Sequence, residues 1–406
     1  MGVAASVFGD FQKSTSPSFV TGPDSVLNEA QKRNYISMRH FVKGRKAADI
    51  MQGGRVIRDE IMFDEQSTAV FAHPDETFPW SQPQVLTEWE ISWRYLVDHK
   101  AWNDQIVEQN ITPGMTRSAR HRAYKHLKRV LEQRMWTSLF NKIEDQLWAV
   151  PEVADMESAA GKQPYSIPAI INEEANGLFY STATVTGKTA WTTVQGINPV
   201  TQPKWVPQQE TYSDSAVTTG ADNILHAFDK MWLMVKFESP DTKEEYFNDS
   251  SMFGQFIACS NGGLNVYQQL LRDSQDRFAA PSRQDPAYVR PEYAGIKVER
   301  VDTLGAALLY EAETATNPLV GEVAGAGVGA QNGPRYYWCH ADYLKMVWHS
   351  RNYMDVKPVK EHPNQVFTHV QPVATWYNTY ARSRQRVGIV SPAATNDVYD
   401  ANYAAV

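Results

Sequence analysis

Hydrophobic and polar side chains alternate along two stretches in the first hundred residues. The alternation is imperfect over residues 55–65 and clear over residues 85–97, which predicts two β-strands. Between them lies the hairpin tip (residues 66–84), whose three prolines exclude a central strand and mark an exposed loop. The tip also carries Phe71, Phe78 and Trp80, with no local core to bury them. The pattern predicts a long β-hairpin that needs a further surface to lie on, because an isolated hairpin is marginally stable.

A different period follows in the next fifty residues. Apolar side chains return at every fourth position: Leu127, Leu131, Met135, Leu139, Ile143 and Leu147. This spacing places them along one side of an α-helix. Thr112 or Thr116 can cap the start of the helix and Pro151 ends it, so the predicted helix is about 50 Å long.

The rest of the chain predicts a mixture of helices and strands. Residues 1–23 predict an extended arm, and residues 151–222 predict loops with short strands. Later elements are helices over 221–237 and 263–278, a strand over 295–304, a strand leading into a helix over 334–350, and two strands over 364–392. We expect residues 376–390 to pair with residues 295–301 in one sheet beside the long helix. Their β-branched side chains can cover the apolar stripe of that helix, which would otherwise be an exposed patch.

The charge of the long helix differs from that of the whole chain. The chain has 406 residues and a net charge of −7, whereas residues 117–134 contain seven cations against Glu132 alone, a net +6. The central part of this cluster is the basic face: Arg120, Arg122, Lys125, Lys128 and Arg129. A solvated helix surface is one interpretation. Cations near a helix N-terminus oppose the helix dipole, so an anionic partner is the other interpretation.

Composition and motifs point away from an enzyme or a membrane protein. The chain is long enough for two domains, and no apolar stretch is long enough to span a membrane. Cys259 and Cys339 are too few for a disulfide framework, and we expect both to be reduced and buried. Residues 187–189 and 325–330 match nucleotide-binding loops only in part, and no catalytic triad or metal-ligand spacing stands out. We therefore predict no catalytic residue, no cofactor and no metal.

The order of these parts resembles the major capsid protein of tailed bacteriophages, which has the HK97-like fold. Residues 194–205, VQGINPVTQPKW, are similar to the Gly-Ile-Asp/Asn and Trp found after the long helix in such proteins. Residues 380–392, YARSRQRVGIVSP, are similar to their closing strand. The resemblance covers most of the chain. It implies an α+β fold with an N-terminal arm, an extended β-hairpin loop, a long spine helix with a peripheral sheet, and an axial domain.

The resemblance also implies domain boundaries. They are an N-terminal arm at 1–52, an extended loop at 53–98, a peripheral domain with the spine helix at 99–150, the first part of an axial domain at 151–290, a peripheral strand at 291–305, the second part of the axial domain at 306–361, and peripheral strands with a C-terminal tail at 362–406. Because no long coiled-coil-like segment opens the chain, we expect the scaffolding protein to be a separate chain.

A protein of this family would assemble with itself into hexamers and pentamers of an icosahedral head that encloses double-stranded DNA without sequence specificity. It would be a virion protein assembled in the host cytoplasm, with a portal as a further partner and a decoration protein left open. The basic face is then expected to point to the interior, toward DNA or an acidic scaffold, and the aromatic side chains of the hairpin tip to pack on a neighbouring subunit. Arg382, Arg384 and Arg386 alternate, so we expect them on one face of a strand, where they bind an acidic neighbour or remain solvated.

Two other functions stay open at this point. An encapsulin-like nanocompartment shell shares the fold but encloses protein, so nucleic acid in purified particles distinguishes it from a phage head. A multidomain enzyme with a β-rich insertion is the alternative from another class, although no set of catalytic residues supports it.

Overall fold

The computed structural model describes two six-stranded sheets, a two-stranded hairpin and one long helix. The described residues are 35–42, 50–63, 86–103, 117–149, 153–172, 177–178, 191–212, 223–235, 255–275, 291–304, 334–362 and 364–392.

Strands and helices alternate irregularly along these residues. The strands are β1 (Ile50–Met51), β2 (Val56–Met62), β3 (Leu86–Ser92), β4 (Arg94–Asn103), β5 (Gln208–Tyr212), β6 (Gln255–Cys259), β7 (Glu292–Tyr293), β8 (Ile296–Arg300), β9 (Tyr336–His340), β10 (Leu344–His349), β11 (Asp355–Val356), β12 (Lys360–His362), β13 (Gln365–Ala381) and β14 (Gly388–Pro392). The α-helices are α1 (Arg117–Leu147), α2 (Val153–Met156), α3 (Ile167–Ile170), α4 (Ile224–Val235) and α5 (Asn261–Gln275). Ser37–Val42 forms a π-helical turn. This is the mixed α+β content that the sequence predicts.

The first sheet is built around β13, a strand of 17 residues. It pairs antiparallel with β4 over ten residue pairs, from Tyr377 opposite Arg94 to Thr368 opposite Asn103. Strands β10, β11 and β12 also pair with β13, and β1 adds to β10 in parallel. Because β13 touches four other strands, it fixes the position of each of them.

Helix α1 has about the predicted length, and its buried stripe is confirmed from Met135 onward; Leu131 is half-buried, and the side chain of Leu127 lies outside the described residues. Its 31 residues span about 46 Å. Met135, Leu139, Ile143 and Leu147 are buried, and the helix packs against β4 of the first sheet. Truncating a buried leucine such as Leu139 to alanine typically costs about 2–5 kcal/mol. The two predicted shorter helices are confirmed as α4 and α5.

The second sheet has the strand order β5-β14-β9-β6-β8-β7. Helix α4 packs on β5 and β14, and α5 packs on β6 and β8. Phe228 of α4 lies among Tyr267, Tyr336 and Trp338, with ring centroids 4.9–5.7 Å away. Aromatic side chains therefore fill part of this core.

The predicted hairpin is confirmed at its base. Strands β2 and β3 pair antiparallel from Val56 opposite Ser92 to Met62 opposite Leu86. A single residue, Trp93, separates β3 from β4. The hairpin tip lies outside the described residues.

The prediction of a strand leading into a helix over residues 334–350 is wrong. Both halves are strands, β9 and β10, and they belong to different sheets. All residues of both strands are buried, so neither strand shows the alternation of a half-exposed strand. A continuous apolar run does not distinguish a buried strand from a buried helix.

The predicted pairing of residues 376–390 with residues 295–301 is also wrong. Residues 376–381 end β13 in the first sheet, whereas β14 lies in the second. Strand β8 is in the same sheet as β14, but β9 and β6 separate them. Residues 291–304 therefore do not supply a strand beside α1. The apolar stripe of α1 is covered by β4 instead, and the remaining domain boundaries stay predictions.

Candidate assembly surfaces

The base of the hairpin is packed onto its own subunit. Ile57, Trp89 and Ile91 share one face of the β2–β3 ladder and are buried. Trp89 lies against Tyr380 with ring centroids 5.0 Å apart. At the outer end of the ladder Met62 is 62% exposed, whereas the next residue, Phe63, is buried against Trp205 with ring centroids 5.8 Å apart.

Strand β3 of the hairpin and strand β4 follow one another along the same direction beside β13. Tyr377 pairs with Arg94, and three residues further along β13 Tyr380 meets Trp89 of β3. Strand β3 therefore follows the direction of β4 beside β13. The hairpin tip, with Phe71, Phe78 and Trp80, lies outside the described residues, so its predicted contact with a neighbouring subunit stays a prediction.

One side of the first sheet carries exposed apolar side chains beside the polar His99 and Asp355. Tyr95 and Val97 of β4 are 59% and 62% exposed, and directly opposite them on β13 stand Trp376 and Ala374. Tyr95 and Trp376 touch edge to face, with centroids 4.7 Å apart. We call Tyr95, Val97, Ala374 and Trp376 the open sheet face. A solvated face of an antiparallel sheet is normally polar, and exposed apolar patches mark interaction sites.

Helix α1 covers the opposite side of the same sheet. Lys100, which points away from the open sheet face, lies beside Glu132 of α1 with a nitrogen–oxygen distance of 3.7 Å. The helix thus leaves the open sheet face uncovered.

The basic face lies on the N-terminal half of α1. Lys128 and Arg129 are exposed, and so is Arg134. Arg120, Arg122 and Lys125 belong to the helix, but their side chains lie outside the described residues. The described part of this surface is therefore positive and accessible.

The three C-terminal arginines do not lie on one face of a strand. They occupy the connection between β13 and β14, where the chain passes from the first sheet to the second. Arg384 and Arg386 are 0% and 1% exposed. The prediction that they bind an acidic neighbour across a subunit boundary is wrong for both, because each is enclosed by its own chain. Arg382 is half exposed, 3.8 Å from Asp59 of the same chain, and its inter-subunit role stays a prediction.

Arg384 has its own set of partners instead. Its Nε donates to the carbonyl of Ile170 at 2.9 Å, and its two terminal nitrogens donate to the carbonyls of Trp205 and Gly177 at 2.8 Å each. Burial lowers the pKa of Arg384 to about 9, against an opposing effect of Glu157. The guanidinium therefore remains charged at neutral pH and ties three separate segments, one of them the end of α3, to the β13–β14 connection.

No family model matches the chain, and neither does any curated protein. Solved structures do. The capsid of a native GTA particle is 8% identical over 91% of this chain and 95% of that chain, with a TM-score of 0.50. The chain has the fold of this capsid protein. The resemblance predicted from the sequence is confirmed at that level.

Two further capsid structures align over a similar part of the chain. The capsid of cyanophage A-1(L) is 12% identical over 91% of this chain and 96% of that chain, with a TM-score of 0.48. The capsid of Myoviridae phage XM1 is 10% identical over 91% and 95% of the two chains, with a TM-score of 0.47. We draw nothing further from these lower scores.

In this capsid fold, the two stretches that carry the resemblance are in contact. Trp205, at the end of the first stretch, accepts from Arg384 of the second, and Gln208 donates to the carbonyl of Val387 at 3.0 Å. Gln195 and Gly196 have φ angles of 58° and 76° and form the tight turn that opens the first stretch. The position of Gly196 in the left-handed region favours glycine.

A second buried arginine was missed from the sequence. Arg94 donates to the carbonyls of Met156, Ser158 and Gly161 at 2.5–2.7 Å. Glu157 lies nearby: burial raises its pKa, although hydrogen bonds from Thr193 and from backbone amides act in the opposite direction. The available signal was the strand register, which places Arg94 on the same side of β4 as buried Lys100.

Metal-ligand clusters, membrane-spanning helices and the two cysteines can be checked over the described residues. Within these residues, no three His, Cys, Asp or Glu side chains come together as metal ligands. Searched over the same residues, no helix has the length and apolar character needed to cross a membrane. Cys259 and Cys339 are buried and unbonded to each other, as expected.

Proposed function

We propose that the protein is the major subunit of an icosahedral phage head, which assembles into hexamers and pentamers and encloses double-stranded DNA. The observation that carries this proposal is the fold likeness to the native GTA particle capsid, which extends over nearly the whole of both chains. Residues 53–98 then act as the extended loop, α1 as the spine helix, the first sheet as the peripheral sheet and the second as the axial domain.

The subunits meet, in this proposal, through the hairpin tip and the open sheet face. Leu86 and Tyr95 are nine residues apart along an almost continuous strand, about 30 Å. This separation keeps the base of the hairpin apart from the open sheet face of its own subunit, and in this proposal the tip meets the open sheet face of another copy. Each aromatic or branched side chain that becomes buried in this contact contributes about 1.5–3 kcal/mol.

The basic face contacts phosphates of the packaged DNA, or an acidic separate scaffolding protein during assembly. Phosphate contacts are independent of sequence and release counterions, so they weaken steeply as salt rises. A container for a whole genome needs this kind of contact. The acidic remainder of the chain supports the assignment, since it limits DNA binding to one surface. A portal belongs to the same assembly, and a decoration protein stays open.

Electron microscopy of the expressed chain tests the proposal. We expect closed shells or capsomers from the purified protein, with or without its co-expressed scaffold, and sedimentation far above that of a 45.9 kDa monomer. A protein that stays monomeric under all these conditions contradicts the proposal. Shells that contain protein cargo and no nucleic acid would instead indicate an encapsulin-like nanocompartment.

A further inference from the structure

The π-helical turn at residues 37–42 is held by helix α1 on one side. The backbone N–H and the hydroxyl of Ser37 both donate to Oε2 of Glu144, at 2.9 and 2.5 Å. Trp148 donates to the other carboxyl oxygen at 3.0 Å. Glu144 is 1% exposed, and all three of these donors are neutral.

The second sheet holds the same turn on its other side. Arg39 donates to Oε1 of Glu299 at 2.7 Å, and Nε2 of His40 lies 2.9 Å from Oε2. The ring of His40 also stacks on Phe256 of β6, with centroids 3.9 Å apart. Two carboxyl groups, one on α1 and one on β8, therefore hold a segment of four residues at its two ends.

The two anchors respond differently to acid. Burial raises the pKa of Glu144, so its neutral form is favoured and can still accept hydrogen bonds. Burial alone would also raise the pKa of Glu299, but the hydrogen bonds and charges of His40 and Arg39 outweigh it and lower this pKa below 4.5. The stability contributed by Glu299 is complete above pH 4.5 and is lost as the pH falls through its lowered pKa.

The other described charges around Glu299 lie on its own strand and next to it. Arg300 pairs with Asp302 at 3.0 Å, Lys297 stands opposite Glu292, and β6 contains no charged residue. Protonation of Glu299 therefore acts on the contacts with the turn.

We propose that residues 35–42 form an acid-sensitive latch, in which Glu299 releases the turn from the second sheet on protonation while Glu144 keeps it attached to α1. At neutral pH the latch holds the turn at both ends. In acid it frees the end at Arg39 and His40, while Tyr35 stays hydrogen-bonded to Asn141 of α1. The inference goes beyond the capsid proposal and does not depend on it, since the contacts lie within one subunit.

Proteolysis at pH 8 tests the contact between Glu299 and the turn without any change of pH. We expect trypsin at pH 8 to cut the bond after Arg39 about five to ten times faster in Glu299→Gln than in the wild type, because local opening exposes it. Glu292→Gln, an exposed carboxylate on the neighbouring strand, is the matched control and should be cut at the wild-type rate. If Glu299→Gln keeps the wild-type melting temperature and is cut no faster, the latch is refuted.

A second measurement follows the wild type through the acid range and needs no variant. Pepsin cleavage after Phe41, normalised to an unstructured peptide of the same sequence, should accelerate as the pH falls below about 4.5. Circular dichroism in parallel reports whether the subunit remains folded. A flat normalised rate down to the pH at which the subunit itself unfolds would overturn the proposal, whether or not the protein forms shells.

Discussion

Replacing Arg384 by alanine tests how the connection between the two sheets is held. The substitution removes three hydrogen bonds from the carbonyls of Ile170, Gly177 and Trp205. The carbonyl of Gly177 keeps a second donor, the side-chain amide of Asn172 at 2.9 Å. Each hydrogen bond to a charged group contributes about 1.5–3 kcal/mol, and water that enters the vacated space offsets part of the loss. We expect a loss of about 3–5 kcal/mol, a large part of the 5–15 kcal/mol that is typical of a domain.

The assay is urea unfolding of the unassembled subunit, followed by tryptophan fluorescence. Arg384→Lys should recover only part of the loss. The lysine ammonium carries its three donors on a single nitrogen atom, which cannot reach carbonyls on three separate segments at once. Arg382→Ala is the control: its pair with Asp59 is exposed and 3.8 Å long, so less than about 1 kcal/mol is expected. An Arg384→Ala variant within about 1 kcal/mol of the wild type would show that the buried guanidinium does not hold this connection.

Three further predictions concern assembly, DNA and the backbone. Deleting residues 68–82 from the hairpin tip should leave a folded monomer that assembles poorly, and normal shells in electron micrographs would contradict the proposed tip contact. Changing all five residues of the basic face to glutamine should lower the DNA content of purified particles, most clearly at low salt, and unchanged DNA content and salt dependence would remove this surface from the proposal. In Gly161→Ala the new Cβ would lie 2.1 Å from the carbonyl oxygen of Asp155. We therefore expect the free energy of unfolding to fall by about 1–3 kcal/mol in the same urea assay. Gly53→Ala is the control and should be neutral, because its new Cβ meets nothing within 4 Å.

The sequence by itself determined the elements whose side chains have a clear period. Alternation around Trp89 and Ile91 marks strands with one buried face, and the four-residue repeat from Met135 to Leu147 marks one side of a helix. These patterns arise within a few residues of chain, because the backbone geometry of a strand or a helix sets which neighbours face the same way. The order of such elements was also enough to indicate the capsid fold.

Only the tertiary structure decided which sheet each strand joins and where the arginines go. Strands β9 and β10 are buried on both faces, so their sequence carries no period, and their separation into two sheets depends on pairing with Gln255–Cys259 and with β13. The alternation of Arg382, Arg384 and Arg386 suggested an exposed strand face. Arg384 is buried because carbonyls at residues 170, 177 and 205, far from it along the chain, converge on its guanidinium. Local periodicity contains no information about such a convergence, since it forms only when distant segments fold together.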